Sequence, residues 1–102
     1  LSYTIVNIED VHQALPNKPI VILEGGWATT SIEFGNQASE ANQKRYFNEI
    51  KKWAKSSNTT FFFFEAFDEP WKGNPKKLNS AEKHWGLFNV DRTPKSALKP
   101  TE

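Results

Sequence analysis

The stretch FFFFEAFDEPWK, residues 61–72, decides the fold. Four consecutive phenylalanines predict a buried strand over Thr59–Phe64, because a short apolar run bounded by polar residues is typical of such strands. The run passes directly into three acids, a tryptophan and a lysine: Glu65, Asp68, Glu69, Trp71 and Lys72. On its own, this pattern also fits a core strand followed by a solvated acidic turn.

A second stretch of the same kind, IVILEGGW, occupies residues 20–27. Its apolar run over residues 20–23 predicts a strand covered on both faces, as in parallel sheets. The run ends at Glu24, and two glycines lead to Trp27. Two strands that each deliver a carboxylate and an indole at their carboxyl ends favour a carbohydrate site over a solvated turn.

An amphipathic helix is predicted between the two strands. Ser39 is a suitable N-cap with Glu40 behind it, and lysines crowd the last turn, where the helix dipole favours cations. The helix has an apolar stripe at helical spacing, formed by Tyr46, Phe47, Ile50, Trp53 and Ala54.

The flanking segments complete an α/β pattern. Ile8, Val11 and Leu15 predict an earlier helix capped by Asn7, and a short last helix is expected around Pro94–Leu98. Alternation of helix and strand implies crossover connections and a parallel sheet. The 102 residues are predicted to form one segment, 1–102, without an internal boundary.

Composition excludes several classes of function. The net charge of +1, with acids and bases well mixed, gives no reason to expect nucleic acid as a partner. No stretch is long and apolar enough to predict membrane insertion. The absence of cysteine excludes a thiolate metal site and a catalytic thiol. The clustered acids lack the spacing of a calcium loop, so neither a metal nor a cofactor is predicted.

Three motifs in order resemble the C-terminal part of family 17 glycoside hydrolases. They are EGGW at residues 24–27, FEAFDEPWK at residues 64–72 and HWGLF at residues 84–88. The resemblance implies β-1,3-glucanases and related glucan transglycosylases, which are (β/α)8 TIM barrels. The chain would then supply strands seven and eight with their helices, as a piece of a longer protein. A first residue that is not Met agrees with that expectation.

The resemblance also implies roles for individual residues. Glu24 matches the family's nucleophile, and Trp27 matches the tryptophan that lines the sugar site. Phe67 matches an aromatic position beside the substrate. Glu69 and Lys72 match a Glu-x-x-Lys pair near the active site, although a plain salt bridge in a loop explains them equally well.

Other residues enter from their chemistry alone. With Trp27 and Phe67, Trp71 offers an apolar face on which a sugar ring can stack. Glu65 is expected to be a scaffold acid and not a catalytic one. Gly25 and the Ala28-Thr29 pair depart from the family's usual pattern, which bears on the local loop shape and the subspecificity.

The general acid/base of the family is not found in this chain. The family places it in an Asn-Glu pair after an earlier strand, whereas Asn48-Glu49 falls inside the predicted helix. The sequence therefore predicts the C-terminal part of a retaining β-1,3-glucan hydrolase or transglycosylase, inactive when isolated. A non-catalytic carbohydrate-binding or structural module is the alternative.

The expected partners follow from the same reasoning. One is a β-1,3-glucan oligosaccharide or polysaccharide. The other is the rest of the parent barrel, or a second copy of the chain. Because glucan is an envelope or extracellular polymer, an extracellular, periplasmic or cell-envelope location is expected.

Overall fold

The structure, a computed structural model, describes residues 1–101 and contains two α-helices and two strands in that range. In chain order they are α1 (Ser2–Ala14), β1 (Val21–Gly25), α2 (Glu40–Ser56) and β2 (Thr60–Phe63). Three short 3₁₀ turns lie at Gly35–Gln37, Ala81–Lys83 and Ser96–Leu98.

Helix α1 starts earlier than the sequence suggested. Leu1 takes the N-cap position without a side-chain cap, so the prediction that Asn7 caps this helix is wrong. The apolar spacing of Ile8, Val11 and Leu15 is compatible with a helix that also includes residues 2–7, and no residue there stops a helix. Pro16 lies just beyond the helix end, which agrees with its role as a stop.

Helix α2 begins where the sequence predicted. The Ser39 hydroxyl accepts a hydrogen bond from the Asn42 backbone N–H at 3.1 Å, which satisfies one of the free donors of the first turn. Glu40 lies in the first turn and Lys55 in the last, as the helix dipole favours. Its fully or nearly fully buried positions are Gln43, Tyr46 and Ile50.

The two strands are parallel neighbours, with α2 as the connection between them. Val21 is paired with Thr60 and Ile22 with Phe61, and an irregularity follows before Gly25 meets Phe63. The pairing confirms that both apolar runs are strands of one parallel sheet. Their bounds differ from the predicted ones by one or two residues.

Aromatic rings fill the layer between α2 and the sheet. The ring of Phe63 lies edge-on to Phe47 at 5.1 Å between centroids, and Tyr46 lies 6.1 Å from the same ring. Ile22 of β1 and Ile50 of α2 are also buried. The apolar stripe of α2 therefore covers one face of the sheet.

The opposite surfaces stay open to solvent. Leu23 is 71% exposed and Phe62 57% exposed, and helix α1 has no buried residue. These strands were predicted to be covered on both faces, and the described chain covers one. Within residues 1–101, no helix is long and apolar enough to cross a membrane.

Candidate active site

The parallel strands place Glu24 and Glu65 at the same end of the sheet. Glu24 lies within β1, one residue before the strand ends, and Glu65 lies two residues after β2. The Glu24 side chain is exposed, and no hydrogen bond or ion pair engages its carboxylate within residues 1–101. This carboxylate is therefore available to a ligand or to residues outside the described chain.

Gly26 is required by the close approach of the two strand ends. The Phe64 backbone N–H donates to the Gly25 carbonyl oxygen at 2.8 Å. A Cβ atom placed on Gly26 would overlap the carbonyl oxygen of Phe64. Glycine at this position thus sets the spacing between the end of β1 and the start of the loop after β2.

Glu65, Glu69 and Lys72 form a cluster after β2, called here the acid cluster. The Lys72 Nζ lies 3.2 Å from Glu65 Oε2 and also pairs with Glu69 Oε2. The Lys72 backbone N–H donates to the Glu69 carbonyl oxygen at 3.0 Å and closes the turn between them. The Glu69–Lys72 ion pair is present, and Lys72 also contacts Glu65.

The pKa values of the two carboxyls of the acid cluster are shifted in opposite directions. Burial, followed by the hydrogen bond to Glu69, raises the pKa of Glu65 to about 7. One oxygen of Glu65 is buried without a hydrogen-bond partner among the described residues, which disfavours the charged form. The hydrogen bond from Lys72, and then the one to Glu65, lower the pKa of Glu69. The cluster therefore disfavours the charged form of Glu65 and favours the charged form of Glu69.

An apolar cavity of about 300 Å³ lies beside Trp27. Three aromatic side chains line it, with small residues and one amide: Trp27, Phe34, Trp85, Gly26, Ala28, Ala38 and Gln37. Phe34 meets Trp85 edge-on at 6.2 Å. We call this cavity the aromatic pocket, and its volume and lining suit an apolar ring face.

Trp27 is held firmly at the wall of this pocket. Its indole N–H donates to the Gln37 carbonyl oxygen at 2.9 Å, and its ring lies 5.5 Å from that of Tyr46. The indole is thus fixed by α2 and by the loop before it.

Phe67 and Trp71, the other two predicted sugar platforms, have contrasting surroundings. Phe67 is packed 5.3 Å from the ring of Phe88, and the Arg92 guanidinium lies 4.5 Å from the Phe67 ring centroid. Trp71 is 70% exposed. The structure therefore leaves the Trp71 indole open and places protein groups against Phe67.

Helix α2 ties the two strand-end loops together through one buried amide. The Gln43 side chain is fully buried, and its Nε2 donates to the carbonyl oxygens of Trp27 at 3.0 Å and Gly86 at 2.9 Å. One side chain thus fixes the backbone after β1 against the backbone that follows the acid cluster.

Glu33 makes a second tie between these loops. Its carboxylate accepts from the Ser80 hydroxyl and the Ala81 backbone N–H, each at 3.0 Å, and from Ser31 at 2.8 Å. These donors, with the Ala81 N–H first among them, lower the pKa of Glu33 to about 2. Glu33 therefore holds the loops together as a carboxylate over almost the whole pH range.

A buried ion pair makes the third tie. Lys95 is 3% exposed, and its Nζ lies 2.7 Å from Asp68 Oδ1 and 2.8 Å from Thr29 Oγ1. The Gly86 backbone N–H donates to the same Asp68 oxygen at 2.9 Å. Asp68 therefore serves as an internal anchor.

Sequence reasoning missed several of these residues. Phe34 and Trp85 line the aromatic pocket, and Trp85 lies inside the HWGLF motif at residues 84–88. Gln43 left a visible signal, since it is a polar residue three positions before Tyr46 on the apolar stripe. Phe34 left none, because it lies in a polar loop.

Within residues 1–101, no group of three or more histidine, cysteine or acidic side chains could hold a metal ion. The acid cluster brings together two carboxylates with an ammonium. That composition suits proton sharing and hydrogen bonding to hydroxyl groups better than binding of a cation.

The chain is similar to a known group of proteins over most of its length. The model of the BtgE/BtgC glycoside hydrolase domain matches residues 1–86. A glucan 1,3-β-glucosidase of Arthroderma benhamiae is 37% identical over 83 residues, which cover 74% of this chain and 26% of that protein. The glucan 1,3-β-glucosidase of Saccharomyces cerevisiae is 34% identical over 76 residues, covering 74% and 24% respectively.

Solved structures show the same likeness. An endo-laminarinase from Formosa Hel1_33_131 superposes with a TM-score of 0.82 at 35% identity, over 95% of this chain and 27% of that one. A family 17 β-1,3-glucanosyltransferase from Rhizomucor miehei gives a TM-score of 0.79 at 28% identity, over 96% and 35%. An active-site mutant of that transferase was solved with laminaritriose. The chain thus spans about a quarter to a third of the proteins it resembles.

Proposed function

The chain belongs to the BtgE/BtgC glycoside hydrolase domain family, among the family 17 β-1,3-glucanase-like proteins, and we propose that it forms the C-terminal quarter of a retaining β-1,3-glucan hydrolase or transglycosylase. The resemblance drawn from the three sequence motifs is confirmed. Relatives named as glucan 1,3-β-glucosidases and a laminaritriose complex of a structural neighbour support β-1,3-glucan as the substrate.

In this proposal the two strands are strands seven and eight of a (β/α)8 barrel. Two strands are a quarter of eight, which agrees with the share of the curated relatives that the chain spans. The uncovered strand faces would then point to the other strands of the barrel.

The observation that carries the chemistry is the position of Glu24. It lies at the carboxyl end of a parallel strand, where barrel enzymes keep their active sites, and its carboxylate is unpaired within residues 1–101. Glu24 attacks the anomeric carbon, and a carboxylic acid outside this chain protonates the leaving oxygen. For a retaining enzyme, the two carboxyl groups lie roughly 5–5.5 Å apart. Water or a second sugar then releases the glycosyl-enzyme.

The remaining residues bind the glucan. Trp27, at the aromatic pocket, and the open indole of Trp71 offer faces for pyranose rings, and Phe67 lines the same end of the sheet. Glu69 and Lys72 hydrogen-bond to sugar hydroxyls from the acid cluster. The isolated chain is inactive, because it supplies the nucleophile without the acid/base.

Replacement of the nucleophile tests the proposal. Glu24→Gln in the full-length protein should abolish laminarin hydrolysis and leave the thermal midpoint unchanged, since the swap conserves shape and breaks no contact within the described chain. Glu9→Gln, an exposed acid on α1, is the matched control and should keep full activity. Turnover near the wild-type rate in Glu24→Gln would show that Glu24 is not the nucleophile.

A further inference from the structure

Lys83 is buried next to the turn that carries Glu69 and Lys72. Its side chain is 3% exposed, and its ammonium donates to the carbonyl oxygen of Pro70 at 3.1 Å and to that of Lys72. Within residues 1–101, no carboxylate lies within ion-pairing distance of this ammonium. A buried charge held by carbonyls alone is costly, which is unusual for a lysine without a structural or functional role.

The backbone of Lys83 is itself fixed from the loop after β1. Its N–H donates to the Ser80 carbonyl oxygen at 3.1 Å. Ser80 and Ala81 are in turn held by the Glu33 carboxylate. The backbone of Lys83 is therefore fixed to the loop after β1, while its ammonium contacts the turn after β2. Lys83 thus connects the two loops.

Lys72 is consequently held at both ends. Its carbonyl oxygen accepts from Lys83, while its Nζ contacts the carboxylates of Glu65 and Glu69. Removing the contact to the carbonyl would free the turn, and the side-chain ammonium would lose its fixed direction.

We propose that Lys83 is a positioning residue, which holds the Pro70 and Lys72 carbonyls so that Lys72 and Glu69 face Glu65. It acts through the acid cluster and does not touch the substrate. Its consequence for catalysis rests on the function proposed above, whereas its effect on the geometry of the cluster does not.

Replacement of Lys83 by an apolar side chain of similar length tests this role. In the full-length protein, Lys83→Met should lower kcat for laminarin about tenfold with little change in KM, because misplaced groups lose contacts made in the transition state. With ¹³Cδ-labelled glutamate, assigned by loss of the signal in Glu65→Gln, the Glu65 titration midpoint should move from near 7 by roughly one unit. Lys83→Arg keeps the charge and at least two hydrogen-bond donors. It should therefore restore most of the wild-type kcat and most of the wild-type Glu65 titration midpoint.

Lys95→Met is the matched control, since Lys95 is equally buried but donates to Asp68 and Thr29. Lys95→Met should lower the thermal midpoint at least as much as Lys83→Met does, but it should leave the titration midpoint of Glu65 unchanged. The proposal would be overturned if Lys83→Met left the Glu65 titration midpoint unchanged. It would also be overturned if both variants shifted that midpoint equally.

Two further outcomes also bear on the role of Lys83. If Lys83→Met does not fold, Lys83→Gln replaces it; its shorter side chain cannot hold both carbonyls, so the same displacement is expected and an unchanged midpoint overturns the proposal. If the wild-type protein does not hydrolyse laminarin, the proposed function fails, and the titration alone still decides the role of Lys83.

Discussion

Glu65 differs from the neighbouring acids because its carboxyl is withdrawn from water and faces a second carboxyl. Its pKa is raised from 4.5 to about 7 in the folded chain. A group with a raised pKa binds its proton more tightly when folded, so for an acid the folded state is favoured at low pH. This favourable contribution is complete below pH 4.5 and is lost as the pH rises to about 7.

Glu65→Gln should therefore stabilise the protein relative to wild type at pH 8 and not at pH 4. The gain in unfolding free energy between these pH values should be on the order of 1–3 kcal/mol, since Gln cannot ionise. Urea denaturation of both proteins at several pH values measures the difference. A difference that stays constant from pH 4 to pH 8 would contradict the raised pKa.

Trp71 allows the sugar-platform role to be separated from packing. Because its indole is 70% exposed, Trp71→Ala should change the unfolding free energy by less than about 0.5 kcal/mol. As a platform, it should contribute on the order of 1 kcal/mol to laminari-oligosaccharide binding, or about a fivefold change in Kd.

Trp85→Ala is the comparison variant, since its ring lies against Phe34 and Phe64. It should lose roughly 3 kcal/mol of stability as a packing residue. Calorimetric titration and denaturant melts on both variants check the pair of predictions. Unchanged oligosaccharide affinity in Trp71→Ala would remove Trp71 from the substrate-binding residues.

At the scale of elements, the signals that predicted the fold were local. The cap at Ser39, the apolar stripe of α2 and the two apolar runs lie within single segments, so the sequence was sufficient to place them. The start of α1 was missed because Asn7 fits a cap but competes with a helix that continues to Ser2. A capping residue marks a possible helix start, and the helix propensity of the residues before it decides whether the helix begins there.

The supports of the candidate site could not be predicted in the same way. Gln43 and Lys95 bind groups that lie between 16 and 66 residues away along the chain. The acceptors of Gln43 are backbone carbonyls, which leave no mark in the sequence, whereas those of Lys95 are side-chain oxygens of Thr29 and Asp68. Glu24 and the Glu69–Lys72 pair follow apolar runs and lie in family motifs, so the sequence marks them, whereas the buried donors behind them are visible only in the fold.

The junction of β1 with the loop after β2 gives a test at this scale. Gly26→Ala should cost roughly 2 kcal/mol or more, because its Cβ would overlap the Phe64 carbonyl oxygen and force the strands apart. Gly35→Ala is the control: its φ of +57° is unfavourable for alanine, yet no atom lies within 4 Å of the added Cβ. About 1 kcal/mol is expected there.

Denaturant melts of the two glycine variants compare steric overlap with backbone conformation. Equal losses would show that the overlap at Gly26 costs no more than the unfavourable φ at Gly35, and would contradict the larger penalty expected for the close approach.

At the scale of the whole molecule, the arrangement of apolar surface suggests an incomplete unit. Helix α2 covers one face of a two-stranded sheet, and the other face carries Leu23 and Phe62 in solvent. Helix α1 buries none of its residues in the described chain. Uncovered parallel strands also leave edge groups free to pair with another chain.

The 102-residue chain, produced alone, should therefore associate with itself or bind the rest of its parent. Burying each exposed large apolar side chain is favourable by about 1.5–3 kcal/mol, and Leu23 and Phe62 offer two such side chains beside an open strand edge. Light scattering coupled to size-exclusion chromatography at micromolar concentration should show a species larger than 11.7 kDa.

Variants of the exposed apolar residues test which surface associates. The double variant Leu23→Lys with Phe62→Lys should reduce the association, whereas Tyr3→Lys on α1 should reduce it less, since that residue lies off the strand faces. A stable wild-type monomer would refute the association, and laminarin hydrolysis by the purified chain would refute its predicted inactivity.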